Sequence, residues 1–190
     1  MLLADILRDR RAGLVQRLHS EPFLPQQTIS QHCWNVAMLV WRLHPNPSVN
    51  MIMHALTHDN AELEVGDIPA PAKWRWESLR VGSWNAEMTV MQEMRINVGN
   101  EITDEEFEFV SMCDTLELGM YCYEQAMQSN SYAYPIGERV VGALQKMLKD
   151  EPTEAETALR AVIKDFFDFW ASTTNHLWGP RNAELRNNTG

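Results

Sequence analysis

The chain has 190 residues and a formal net charge of −10, enough length for one sizeable core and with no break in composition to mark a second domain. Acids spread along the sequence set aside nonspecific attraction to a nucleic-acid polymer or an anionic membrane, yet they leave room for a nucleotide held by a local cluster of cations. Cys33, Cys113 and Cys122 show no CxxC spacing, no signal-like apolar region opens the chain, and no uncharged apolar run of about 18 residues occurs, so the expectation is one soluble, cytoplasmic domain over 1–190 with reduced thiols and no membrane partner.

Residues 2–18 place Leu3, Ile6, Leu7, Leu14 and Leu18 near one face of a helix, with arginines mostly on the other. Pro22 and Pro25 interrupt it and make 19–29 a loop. Ser30 is placed to cap the next helix, QHCWNVAMLVWRLH, which carries His32 in its first turn and runs to the break at Pro45 and Pro47. A third helix, Val49 to Leu63, offers Met51, Ile52, Ala55 and Leu56 to a core before it reaches His58 and Asp59. Neighbouring helical residues point about 100° apart, so these two share an ion only if it is lodged between helices. Glu62 stands four residues beyond His58 and three beyond Asp59, facing the same region.

Gly66, Pro69 and Pro71 end that helix and make EVGDIPAPAK a shaped loop. Helix resumes near Trp74 and, after Gly82, continues over 84–98. Thr103 and Glu106 have capping-box spacing before a long helix whose Phe107, Val110, Leu118 and Tyr121 face a core. Asp114 interrupts that face, and a lone buried carboxylate calls for a partner or an ion. A loop over 129–135 leads into an amphipathic helix over 136–149, and Thr153 with Glu156 repeats the capping-box spacing before TALRAVIKDFFDFWAS. The tail from Asn175 is polar and is expected to fray from about 180. No βαβ or meander pattern occurs, so the expected fold is all-α, a bundle of about six or seven helices.

His32, His58, Asp59 and Asp114 are the candidate metal ligands. Two neutral imidazoles and two carboxylates suit one divalent transition ion, Mn, Co, Fe, Ni or Zn, and leave coordination room for water or a phosphate oxygen. A histidine-aspartate dipeptide alone occurs by chance. His32, then His58-Asp59, then Asp114 together resemble the H…HD…D signature of the HD-domain phosphohydrolases, a helical superfamily. HDNAELEVGDIPAPAK resembles the HD-x-x-E-x-x-x-G-D-x-P-x-P-x-K stretch of its 5'-deoxynucleotidase branch, which includes phage deoxynucleoside triphosphohydrolases acting on dATP. Upstream, QRLHSEPFLPQQTISQHCW resembles that branch's arginine-led loop into the first metal histidine, and the likeness runs from about Gly13 to Tyr123.

The resemblance implies that Glu62 is the acid beside the reacting water and leaving oxygen, and that Asp67 organises Glu62 and the sugar end of the site. It likewise implies that Arg17 and Lys73 contact phosphate. The competing readings are a helix-end carboxylate for Glu62, an Asx-turn after Gly66 for Asp67, and solvated surface cations for Arg17 and Lys73. At two positions the sequence departs from the branch: Gln31 stands where glutamate is common before the first metal histidine, and Leu18 where an aromatic often follows the loop arginine. His54, one turn before His58, reads as a core or interface histidine more readily than as a ligand.

The function so implied is a metal-dependent deoxynucleoside triphosphohydrolase, converting dATP to deoxyadenosine and triphosphate, with Mg accompanying the triphosphate and the host cytoplasm as its place if phage-encoded. Arg75 and Arg80 would add to the phosphate-binding charge if the loop folded them inward. The alternatives are a 5'-deoxynucleotidase releasing phosphate from monophosphates, and a non-catalytic helical metal-binding or oligomerisation module. A homo-oligomer, dimer or higher, is expected from the branch and from Phe166, Phe167, Phe169 and Trp170 near the end of the chain; the competing reading has that stripe closing the monomer's own bundle.

Overall fold

The computed structural model describes residues 2–96, 102–148 and 151–178, so the tail expected to fray from about 180 lies outside the described residues. Among them the secondary structure is all-α: α1 (Leu2–Ala12), α2 (Ile29–Leu43), α3 (Val49–Thr57), α4 (Glu62–Val65), α5 (Ala70–Arg75), α6 (Glu77–Glu93), α7 (Asp104–Met127), α8 (Ala133–Met147) and α9 (Thr157–Trp178). Seven of these have nine residues or more, and α4 and α5 are short. The sole β feature among the described residues is an isolated antiparallel bridge, Gln16 to Thr28. The chain divides into two compact units, Met1–Asp114 and Thr115–Gly190, with the boundary inside α7.

In the first unit α1 stops at Ala12 instead of continuing to 18. Beyond Gly13 the backbone leaves the helical ladder to pair with residues 27–30: the Arg17 amide donates to the Gln27 carbonyl at 2.9 Å, and the Ile29 amide to the Val15 carbonyl at 2.9 Å. Leu14, counted toward the apolar face, points into solvent, as do Leu3, Ile6 and Leu7. What α1 buries is Ala12, which packs with Ala61, with Val90 and Met91 of α6 and with Met94 at its C-cap. Arg8 reinforces that packing through ion pairs to Glu64 of α4 and to Glu93 of α6.

The cap of α2 is Thr28, not Ser30. Thr28 Oγ1 accepts from the Gln31 amide and Gln31 Oε1 accepts from the Thr28 amide at 2.9 Å, a complete capping box that fixes the helical turn bearing His32. The capping box expected at Thr103 and Glu106 forms, with donor–acceptor distances of 2.9 and 3.2 Å. The same Glu106 carboxylate accepts from Ser48 at 2.7 Å, and Ser48 is the N-cap of α3, so one side chain ties the starts of α3 and α7 together. Gly82 does not mark a helix start; α6 runs through it from Glu77.

In the second unit α8 and α9 begin and end outside their expected limits, at Ala133 and at Trp178. Two glycines let aromatic rings close on the backbone: a Cβ at Gly137 would meet the Trp170 ring at 2.0 Å, and one at Gly119 would meet the Phe166 ring at 2.7 Å. Trp170 also donates its indole N–H to Glu138 at 2.8 Å. Of the aromatic stripe, Phe166 and Trp170 are therefore buried, whereas Phe169 is 62% exposed. Glu156 engages Arg160 one turn later, with Nε to Oε2 at 2.8 Å.

The glycines yield a paired expectation in unfolding experiments. Gly137→Ala forces a methyl into the Trp170 ring and lowers stability by about 1–3 kcal/mol in denaturant titration. Gly82→Ala meets nothing within 4 Å in the middle of α6 and raises stability by about 0.5–1 kcal/mol. Equal shifts of one sign in both variants would contradict the packing described.

Candidate metal centre

The centre is built by a helix that ends early. α3 closes at Thr57, whose hydroxyl donates to the Met53 carbonyl at 2.7 Å, and His58 is its C-cap. Asp59, Asn60 and Ala61 form a tight turn, with the Glu62 amide bonded to the Asp59 carbonyl at 3.0 Å, and Glu62 then opens the four-residue α4. Gly66 ends α4 at φ +80°, a conformation that glycine adopts without penalty. His58 and Glu62 consequently do not lie on one continuous helix as the spacing suggested; the turn between them swings Asp59 toward α2.

His32 is fully buried in the first turn of α2. Its Nε2 lies 2.9 Å from Asp114 Oδ1 and 3.6 Å from Asp59 Oδ2. His58 Nε2 lies 3.5 Å from Asp59 Oδ1 and 3.9 Å from Asp114 Oδ1. Donor atoms of His32, His58 and Asp59 all fall within 4.8 Å of one another. Such separations match ligand–ligand edges around an ion with bonds of about 2.0–2.2 Å. The ring of His58 is set for this task, because its Nδ1–H donates to the Ala55 carbonyl at 3.0 Å and leaves Nε2 facing the cluster.

The donor set fits a divalent cation on two further grounds. His58 Nε2 and Asp59 Oδ2 are buried without a hydrogen-bond partner among the described residues, a costly arrangement that a cation between them relieves. Their charges are also mutually adapted. Burial opposes a charged ring at His58, but Asp59 foremost, with Cys33 and Asp114, outweighs burial and lifts it to about 9. Burial alone would raise both carboxylates; instead His58, Arg17 and His32 hold Asp59 below its ordinary value, and the hydrogen bond and charge of His32 hold Asp114 well below.

Glu62 behaves in the opposite way. Burial, then the charges of Asp59 and Asp67, push its carboxyl up to about 9 against the opposing pull of Arg17 and Lys73. Its Oε2 is buried and lacks a hydrogen-bond partner among the described residues. Asp67 is bound to the arginine-led loop: its Oδ2 accepts from the Leu18 amide at 2.6 Å and lies 3.6 Å from His19 Nδ1. That bond secures Leu18 in a left-handed conformation, φ +52°, that a leucine seldom adopts. Arg17, beside it, lies between the Asp59 carboxylate at 3.6 Å and the Gln27 side chain at 3.3 Å.

Lys73, on α5, pairs with Glu87 of α6 at 3.0 Å. Arg75 lies over the Trp76 ring, and Arg80 is 55% exposed and paired with Glu77, so neither turns toward the centre. His54 sits against Phe107 and His58, with ring centroids at 5.7 and 6.3 Å. Burial, helped by His58, lowers it to about 4, so it is a neutral ring of the interior. A cavity of about 180 Å³ opens beside the centre; its wall includes His54, His58, Asp59, Asp114, Phe107 and Glu87. Neither Gln27 nor Glu87 is among the candidate site residues read from the sequence. The first is signalled only by lying opposite Arg17 across the loop, and the second by its spacing of 14 residues from Lys73, which no motif encodes.

Residues 11–157, well over half of the chain, match the family described as the HD domain, and the chain belongs to that family. Among solved structures, the PH0347 protein from Pyrococcus horikoshii OT3 is similar in fold, with a TM-score of 0.68 at 17% identity over 88% of this chain and 99% of that one. No curated protein matches the sequence. The chain thus combines an HD-domain helical fold with a His/His/Asp cluster able to coordinate a divalent metal, the general equipment of a metal-dependent hydrolase. No helix among the described residues is long and apolar enough to cross a membrane.

Removing a ligand tests the centre directly. Asp59→Ala is expected to weaken Mn²⁺ binding, followed by calorimetry or by metal content after gel filtration, by at least about 100-fold, beyond what loss of an outer partner typically costs. Retention of wild-type metal content by a folded Asp59→Ala protein removes Asp59 from the ligand set.

Proposed function

We propose that the chain hydrolyses the 5' phosphoester of a deoxynucleotide, with His32, His58, Asp59 and Asp114 holding one divalent transition ion. The observation that carries this reading is a buried carboxyl, Glu62, whose Oε2 has no hydrogen-bond partner among the described residues, next to the metal-site Asp59 and within reach of the charges of Arg17 and Lys73. A bound divalent ion supplies Lewis-acid polarisation of a phosphoryl oxygen and a more acidic water. Glu62, whose carboxyl burial and the charges of Asp59 and Asp67 push above its ordinary value, is suited to give a proton to the departing 5' oxygen, and Asp67 also fastens the loop. Arg17, oriented by Gln27, offsets the charge that develops on the phosphoryl oxygens, and Lys73 adds to that field.

Two substrates fit this chemistry. Release of triphosphate from a deoxynucleoside triphosphate, dATP by resemblance and with Mg on the phosphate chain, rests on the likeness of the arginine-led loop and would gain from Arg75 and Arg80 turning inward. With both engaged at the surface, two cations remain whose charge reaches the site acids, which supports the monophosphate of a 5'-deoxynucleotidase better. A non-catalytic metal-binding module has no use for a buried acid beside the ligands. Assembly as a homodimer or higher oligomer is part of the proposal, supported by Phe169 and by Trp34 and Trp41 of α2, which are exposed in the single chain; light scattering that finds only monomer at micromolar concentration removes it.

Incubation of the metal-loaded protein with dAMP and with dATP separates the substrates. Phosphate from dAMP alone is the expected result, while intact triphosphate from dATP reverses the choice. Glu62→Gln is expected to lower kcat by about 100-fold or more with metal content unchanged, in line with the usual contribution of a positioned acid.

A further inference from the structure

The two cations that act on Glu62 are held differently. Arg17 lies against an amide and a metal-site carboxylate, whereas Lys73 donates to a glutamate outside the ligand set, Glu87, at 3.0 Å. Both partners of that pair are largely shielded, with side-chain exposures of 28% and 25%. Glu87 also lines the cavity of about 180 Å³ whose wall includes His58, Asp59 and Asp114. Apart from the metal-site aspartates it is the one acid among the described residues of that wall, which carries no lysine or arginine. Any group that fills the cavity while bound at the centre therefore lies beside a fixed negative charge whose nearest cation is already engaged.

We propose that Glu87 is a specificity-determining residue: it engages Lys73 and turns the carboxylate end of that pair to the cavity where phosphates beyond the first would lie, so the site takes a single phosphoryl group in preference to a chain of them. The inference rests on the phosphoester reading above and assigns that site its selectivity. The physical cause is Coulombic. Each further phosphate adds charge that Glu87 repels, at short range and in partly shielded surroundings where screening is weak.

The test is calorimetric titration of the Mn²⁺-loaded protein with inorganic phosphate and with inorganic triphosphate, read as the ratio of the two dissociation constants. Glu87→Gln and Glu87→Ala are expected to shift that ratio about tenfold toward triphosphate, and Glu87→Asp, which keeps the charge, to leave it near the wild-type value. Ser111→Lys, on the same cavity wall, tests the placement without touching the ion pair and is expected to shift the ratio in the same direction. If Lys73–Glu87 merely fastens α5 to α6, the neutral variants lower the melting temperature and change both affinities together, and an unchanged ratio overturns the proposal. Failure of the wild type to turn over any deoxynucleotide while the ratio still shifts sinks the phosphoester reading and leaves the anion selectivity. Turnover of dAMP with no ratio shift does the reverse.

Discussion

Two imidazoles and a carboxylate whose donor atoms lie within 4.8 Å of one another cannot be buried cheaply, and much of the first unit is arranged to meet that cost. Asp59 is stabilised in its charged form by His58, Arg17 and His32, and each of those residues has its own support. The Thr28–Gln31 capping box holds the turn of His32, the Ala55 carbonyl fixes the ring of His58, and Gln27 steadies Arg17. The break of α3 at His58 is the local expression of the same demand. A helix continued through Glu62 would keep its residues about 100° apart in strict rotation, whereas the turn lets Asp59 reach across to α2.

The charge at the cluster also divides labour among acids that look alike in the sequence. Asp59 and Asp114 face imidazole rings, which hold both carboxyls below their ordinary values; Glu62, three residues from Asp59, is pushed above its own by burial and by the charges of Asp59 and Asp67. Two differing environments thus suit one carboxyl to holding a cation and another to giving a proton, from the same functional group.

Much of this was legible in the sequence for physical reasons. Helical periodicity with capping-box spacing announces helices independently of their neighbours, and Thr103 with Glu106 pairs as the spacing required. His32, His58 and Asp59 were readable together through the resemblance to the H…HD…D signature, and their donor atoms do converge. The errors came where a local pattern competes with longer-range contacts. Leu14 and Leu18 continue a helical stripe, yet backbone pairing with residues 27–30 takes that segment away from α1. Gln31 read as a departure from the family in the place of a glutamate; its amide closes a cap, which a glutamine accomplishes with one oxygen. Arg75 and Arg80 could be counted but not aimed, since a ring and a carboxylate nearby in sequence claim them first. Glu87 depends on how α5 meets α6, and no periodicity within either helix encodes that.

Asp67 grips the arginine-led loop by the main-chain amide of Leu18 rather than by its side chain. The anchor is therefore blind to what residue 18 is: any side chain that tolerates the left-handed backbone can be carried there without loosening Arg17 or shifting the centre. A position so decoupled is where sequence drift can reshape the neighbourhood of the loop while the scaffold beneath it stays put, which gives a physical meaning to leucine in the place of the family's more usual aromatic.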